Sequence, residues 1–173
     1  MTITLVLGGA RSGKSAYAQR QAEQAAAKRN RVPLLLATAQ AFDDEMHDRI
    51  RQHQTDRGEA WRTREVPLAL AAAIGELTAD DIVVVDCLTL WLSNQMLGEH
   101  DVAAAMDDLA QALAACPADV WVVSNEVGWS LVPENPLGRR FRDEAGRLNQ
   151  RIAAVSDEAC LLVAGMKLDL QRC

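Results

Sequence analysis

The sequence predicts an α/β domain, a mostly parallel central sheet flanked by helices, and three observations carry that expectation. Five short apolar runs (Ile3–Leu7, Val32–Ala37, Ile82–Val85, Val120–Val123 and Leu161–Ala164) are continuous rather than alternating, and rich in Val, Ile and Leu. Strands buried on both faces of a parallel sheet have this composition. Stretches of helical period separate the runs, and strand–helix–strand connections of right-handed crossover give three layers. Finally, the first run passes directly into a glycine-rich turn and then into helix formers. A chain of 173 residues with 49% hydrophobic content forms a single domain, 1–173, with room for one substantial core.

Taken in chain order, the first run leads into Gly8–Ser15, and Lys14–Arg29 follows as a helix rich in Ala, Gln and Glu. The second run opens into a long polar stretch, Thr38 to Pro67, within which Met46, Ile50 and His53 fall on one face of a helix. The third run ends in Asp86. Asp101–Cys116 places Val102, Met106, Leu109 and Leu113 on one face, with Asp101 as N-cap and Pro117 as a stop. After the fourth run come Ser124–Gly128 and Val132–Asn135, then a helix over Gly138–Ser156 whose stripe is Phe141, Ala145, Leu148 and Ile152. Ligands on such a sheet bind at the carboxyl ends of the strands, so the segments leaving those ends are the functional candidates.

Composition narrows the function. Lys and Arg number 18 against 24 Asp and Glu, a net charge of −6, which argues against sequence-independent binding of nucleic acid. No apolar run approaches the roughly 18–20 residues of a membrane-spanning helix. The start, Met1 to Gly9, lacks a charged n-region and turns glycine-rich at once, unlike a secretory signal. A cytoplasmic location is the expectation. Cys87, Cys116, Cys160 and Cys173 are scattered, and His47, His53 and His100 lack zinc-site spacing. The cysteines read as small hydrophobes in a reducing compartment.

Gly8-Gly9-Ala10-Arg11-Ser12-Gly13-Lys14-Ser15 is G-x-x-x-x-G-K-S between a strand and a helix. Its glycines permit close backbone approach, and its N–H groups with the helix N-terminus cradle phosphates. Lys14 can reach the β- and γ-phosphates, and the Ser15 hydroxyl can ligate Mg²⁺. Asp86, ending an apolar strand, supplies the acidic partner for that metal. A signalling GTPase would also need N-K-x-D, which is missing, and the D-x-x-G at Asp143–Gly146 falls inside an amphipathic helix. Arg49, Arg51, Arg57, Arg62 and Arg64, five arginines within 16 residues, form either a phosphate clamp or a solvated face. His53 is equally open on chemistry alone: a polar group near a helix end, or a catalytic imidazole.

Several segments taken together point further. These are the phosphate loop, Ala37-Thr38-Ala39, Asp43–Met46 with Arg49, Ile50 and His53, Trp61-Arg62-Thr63 with Glu65, Ser124–Gly128, Val132–Asn135 and Phe141–Gln150. In combination, over nearly the whole chain, they resemble the bifunctional adenosylcobinamide kinase / adenosylcobinamide-phosphate guanylyltransferase family of cobalamin biosynthesis. The resemblance implies a RecA-like P-loop NTPase fold and two reactions. A nucleoside triphosphate, ATP or GTP, phosphorylates adenosylcobinamide, and GTP then transfers GMP to adenosylcobinamide phosphate with release of pyrophosphate. It implies His53 as guanylyl carrier; some relatives have two adjacent histidines where this chain has Gln52-His53. It also implies a nucleotide site of Gly8 to Ser15, Ala37, Thr38, Ala39, Gln54, Thr55, Asp56, Arg57, Glu65 and Asp86, and Mg²⁺ on Ser15 and Asp86. A homotrimer with corrinoid bound near subunit boundaries completes what the resemblance implies.

Neutral imidazole is a competent nucleophile toward an α-phosphorus, and Lys14 with arginines can stabilise departing pyrophosphate. In the kinase step the γ-phosphoryl is the electrophile, so His53 need not act there; Glu126 and Glu134 are candidate bases. Two rivals remain at this stage: a single-function P-loop metabolite kinase with an incidental His53, and a nucleotide-binding regulatory module without transfer activity.

Overall fold

The structure, a computed structural model, describes residues 1–40 and 60–172. Its seven strands are β1 (Ile3–Gly8), β2 (Leu34–Ala37), β3 (Arg62–Glu65), β4 (Ile82–Asp86), β5 (Asp119–Asn125), β6 (Glu158–Val163) and β7 (Met166–Leu170). They form one sheet in the order β3-β2-β4-β5-β1-β6-β7. Every pairing is parallel except that of β6 with β7, which is an antiparallel hairpin. The helices are α1 (Lys14–Arg29), α2 (Leu70–Gly75), α3 (Leu88–Leu97), α4 (Val102–Ala115) and α5 (Pro136–Val155). Among the described residues none of these is long and apolar enough to cross a membrane.

The layers follow from which side chains the sheet sends to each face. On one side Val6, Leu35, Val84 and Leu162 meet Ala18, Ala22 and Ala26 of α1. Those three small residues, four apart, let the helix lie close to the strands. On the other side Leu5, Leu36, Val83, Val85 and Val122 meet the apolar faces of α2, α3, α4 and α5. The sheet interior is therefore covered on both faces, the condition under which continuous apolar strands are stable.

Local signals set the helix ends. Gly13 takes φ 95° ahead of α1, and Asn30 closes it in the left-handed region. The Asp101 carboxylate accepts from the Ala104 N–H as the N-cap of α4, as its sequence predicts. Asn135 caps α5 in the same way, accepting from the Gly138 N–H. The helix accordingly begins at Pro136, two residues before the predicted start.

Other departures have plain causes. Val32 is half exposed and precedes Pro33, so β2 begins only at Leu34. Ala164 belongs not to a strand but to the β6–β7 turn, with φ 51°. Strands β3 and β7 escaped prediction because all their residues are exposed edge residues, with no apolar run to mark them. Helix α3 is buried around most of its circumference, polar residues included, and carries no clear helical period, which also hid it.

Candidate active site at the carboxyl edge of the sheet

The phosphate loop leaves β1 in the middle of the sheet. Gly8 tolerates no side chain: a Cβ there would lie 2.4 Å from Ser12 Oγ and 2.7 Å from the Leu162 carbonyl oxygen. The loop closes on itself through Ser12 N–H to the Gly9 carbonyl (3.3 Å) and is backed by the β6–β7 turn, whose Gly165 N–H donates to the Ser12 carbonyl (2.9 Å). Arg11 takes φ 56° and is exposed, as are Gly9 and Ala10. Ser15 sits half-buried in the first turn of α1. Ser12 Oγ is buried and has no hydrogen-bond partner among the described residues.

Lys14 is only 8% exposed, and its Nζ donates to the Gly9 carbonyl at 3.0 Å. Burial lowers its pKa below the ordinary 10.5, while Cys87 and the negative charge of Asp86 pull the other way. The lysine and the carboxylate thus stand within electrostatic reach, as a phosphate-and-metal site requires.

Strand order explains how they meet. β5 lies between β1 and β4, with Gly8 opposite Asn125 and Asp86 opposite Val123. The phosphate loop and the carboxylate therefore emerge one strand apart at the same edge. Ser15 and Asp86 offer only hard oxygen donors, the set that suits Mg²⁺. Cys87, next to Asp86, has its thiol pKa raised, first by burial and then by that carboxylate, so it remains protonated at neutral pH.

The other predicted residues divide into three groups. Ala37, Ala39 and Glu65 cluster at the carboxyl ends of β2 and β3, where Ala37 pairs with Glu65; the two alanines are half-buried and Glu65 is exposed. Thr38 is in the same cluster but fully buried. His53, Gln54, Thr55, Asp56 and Arg57, together with Met46, Arg49, Ile50 and Arg51, lie outside the described residues. Arg62 and Arg64 are engaged by carboxylates at the edge of the sheet. Arg62 pairs with Asp81 at 2.8 Å and Arg64 with Glu76 at 2.6 Å, both exposed ion pairs flanking an edge strand. Their alternation along β3 sends both to one side of the sheet, which makes them the solvated face.

In the loop after β5, the Glu126 N–H donates to the Gly8 carbonyl at 3.1 Å, and its carboxylate accepts from the Gly128 N–H at 2.7 Å. Glu134 is exposed in the same loop. Trp129, 76% exposed, and Leu131 stand out from it.

What sequence reading did not find is a buried polar web behind Asp86. The Thr38 hydroxyl accepts from the Cys87 N–H (2.8 Å) and donates to the Cys87 carbonyl (2.7 Å). Asn94 Nδ2 donates to the carbonyls of Thr38 (2.8 Å) and Pro67 (3.0 Å). From the other side Asn125 Nδ2 donates to Thr89 Oγ1 at 2.6 Å. The one available signal was the set of polar residues Thr89, Ser93, Asn94 and Gln95 among the apolar residues of Leu88–Leu97, since polar groups in a buried segment are kept when they are bonded.

Comparison with known proteins bears on this site as a whole. The family pattern described as cobinamide kinase / cobinamide phosphate guanyltransferase matches residues 4–170. The bifunctional adenosylcobalamin biosynthesis protein CobU of Salmonella typhimurium is 43% identical, over 96% of this chain and 98% of its own. The corresponding CobP of Pseudomonas aeruginosa is 45% identical over 96% of both. Among solved structures, an ATPase domain superposes with a TM-score of 0.51 at 13% identity, covering 92% of this chain and 68% of that one. That likeness concerns the fold alone, which is RecA-like.

Proposed function

This chain belongs to the cobinamide kinase / cobinamide phosphate guanyltransferase family, and we propose that its single phosphate loop serves both reactions. The protein is an enzyme, a cobinamide kinase and cobinamide phosphate guanylyltransferase, acting on nucleoside triphosphates. Relatives named as bifunctional do not favour a kinase with an incidental histidine.

The observation that carries the site assignment is the juxtaposition of Lys14 and Asp86 across β5. In the kinase step the loop N–H groups and Lys14 hold the β- and γ-phosphates of ATP or GTP, while the hydroxyl of adenosylcobinamide attacks the γ-phosphorus. The bond from γ-phosphorus to the bridging oxygen breaks, and the nucleoside diphosphate leaves. Glu126, whose N–H is tied to Gly8, is better placed than Glu134 to receive the hydroxyl proton.

In the second step a neutral His53 nitrogen attacks the α-phosphorus of GTP, forming a P–N bond as pyrophosphate departs. Lys14 stabilises the charge on that leaving group. A phosphate oxygen of adenosylcobinamide phosphate then attacks the same phosphorus, the P–N bond breaks, and adenosylcobinamide-GDP is released. Gln54, Thr55, Asp56, Arg57 and Glu65 accompany His53 in this reading, by family resemblance. Ser15 and Asp86 would hold Mg²⁺, which when bound neutralises phosphate charge. The reading extends to a cytoplasmic homotrimer, again by resemblance.

The test is a product analysis by mass spectrometry with adenosylcobinamide, GTP, ATP and Mg²⁺. The expected result is adenosylcobinamide phosphate followed by adenosylcobinamide-GDP, with neither formed by Lys14→Ala. Accumulation of the phosphate alone, under any nucleotide supply, would contradict the transferase half.

A further inference from the structure

Thr38 is placed by resemblance among the nucleotide-binding residues, yet its geometry leaves it nothing to offer a nucleotide directly. It is 0% exposed. Its hydroxyl both donates to and accepts from the peptide groups of Cys87. Its N–H donates to the Asp86 carbonyl at 3.1 Å, and its own carbonyl accepts from Asn94. All of its polar atoms thus have partners, and three of its four bonds are to the backbone of Asp86 and Cys87.

A hydroxyl that bonds both polar groups of one residue's backbone fixes that backbone's position and rotation together. Here the residue follows directly on the carboxylate that stands within electrostatic reach of Lys14. The far side of the same turn is held by Asn125, whose amide donates to Thr89 Oγ1. Asn125 in turn has its carbonyl bonded by Asn149 at 3.3 Å, and Asn149 Oδ1 accepts from Ser124 Oγ at 2.6 Å. Asn94 adds the third tie, bridging Thr38 to the Pro67 carbonyl ahead of α2. Uncharged donors and acceptors suit this task, because they fix direction without adding charge beside Lys14 and Asp86.

We infer that Thr38 is a positioning residue for Asp86: with its carbonyl anchored by Asn94, its hydroxyl holds the Cys87 backbone and so aims the neighbouring carboxylate at the divalent cation of the bound nucleotide. The inference rests on the metal role given to Asp86 above, and goes beyond it by naming the group that makes that carboxylate effective. It also separates Thr38 from its neighbours Ala37 and Ala39, which are half-buried at the strand edge.

The experiment is calorimetric binding of α,β-methylene-GTP, a triphosphate that cannot transfer its α-phosphoryl group, in Mg²⁺ and in EDTA. It compares wild type, Thr38→Val and Thr38→Ser. Thr38→Val keeps the shape and removes the hydroxyl. We expect its affinity in EDTA to equal that of wild type, since the phosphate loop is untouched. The gain in affinity on adding Mg²⁺ should shrink by about 10-fold or more, the usual consequence of losing a group that orients a metal ligand. Thr38→Ser should restore the gain. A Thr38→Val protein that keeps the full Mg²⁺-dependent gain would overturn the inference. A wild-type protein showing no such gain would instead refute the metal role of Asp86 itself. Should Thr38→Val fail to fold, Asn94→Ala frees the same carbonyl anchor; loss of the gain supports the positioning role, and a normal gain in the folded variant refutes it.

Discussion

The phosphate loop and the turn at Asp86 face each other across one strand, but they are built in opposite ways. The loop is backbone made: Gly8 is excluded from carrying a side chain by Ser12 and Leu162, and Gly165 backs it with a peptide N–H. Its motif lies in eight consecutive residues, and a few backbone contacts from the β6–β7 hairpin and from Glu126 complete it. The Asp86 turn is side-chain made, held by Thr38, Asn94 and Asn125 from distant parts of the chain. A local motif can therefore be read from one stretch of sequence, whereas a support assembled from distant stretches cannot.

The largest expected effect comes from removing the charge that both reactions share. Lys14→Ala should lower both kinase and guanylyltransferase rates by about 10³-fold or more, roughly 4 kcal/mol of transition-state stabilisation, in steady-state assays of each step. An effect confined to one reaction would mean that the loop serves only that one.

Next comes the loop's packing. Gly8→Ala puts a methyl group 2.4 Å from Ser12 Oγ and 2.7 Å from a carbonyl. Forced overpacking costs about 1–3 kcal/mol, and the change should show in both the melting temperature and GTP affinity. Unchanged binding would show that the loop is looser than its contacts require.

A third prediction concerns protons. Burial lowers the Lys14 pKa in the folded protein, so between that value and 10.5 the unfolded chain holds more protons than the folded one. This lysine's burial penalty is thus present below its folded value and relieved as pH rises toward 10.5. Triphosphate prefers the ammonium form, so GTP affinity should fall as pH rises through the lowered pKa, with proton uptake on binding in that range. Calorimetry in buffers of differing ionisation enthalpy measures that uptake. Proton release instead would contradict the sign.

The contrast between the two regions also explains what was legible in advance. Helix α1 starts at Lys14 and ends at Arg29, as its composition predicted, because a glycine precedes it and a left-handed Asn30 closes it. The Asp101 cap was legible for the same reason, an acceptor three residues from the N–H it serves. Strand β3 was not, since Arg62–Glu65 is held by pairing with β2 and by ion pairs to Asp81 and Glu76, neither of which its own sequence displays. The same ion pairs place Arg62 and Arg64 on the exposed edge of the sheet, which their sequence alone left open. Within the site, the loop and Asp86 were legible as motifs, and the polar clasp around Thr38 was not, because its members are spaced by dozens of residues.

The smallest effects belong to the surfaces that only frame the site. Asp101→Ala should cost about 1 kcal/mol of stability through its lost cap and leave both activities alone, as thermal unfolding and rate measurements would check. Arg64→Gln should leave both rates within about twofold of wild type, the expectation for an exposed ion pair. A large loss of GTP affinity in Arg64→Gln would return that arginine to the phosphate site.

The central claim is that one phosphate loop feeds two chemistries, with GMP carried on His53 in the second. Intact-protein mass after incubation with GTP and Mg²⁺, for wild type and His53→Ala, tests it most directly. The account predicts a guanylyl-sized increment on wild type alone, discharged by adenosylcobinamide phosphate, while His53→Ala stays unmodified and still phosphorylates adenosylcobinamide. An increment that persists in His53→Ala, or guanylyl transfer at full rate without that histidine, would contradict it.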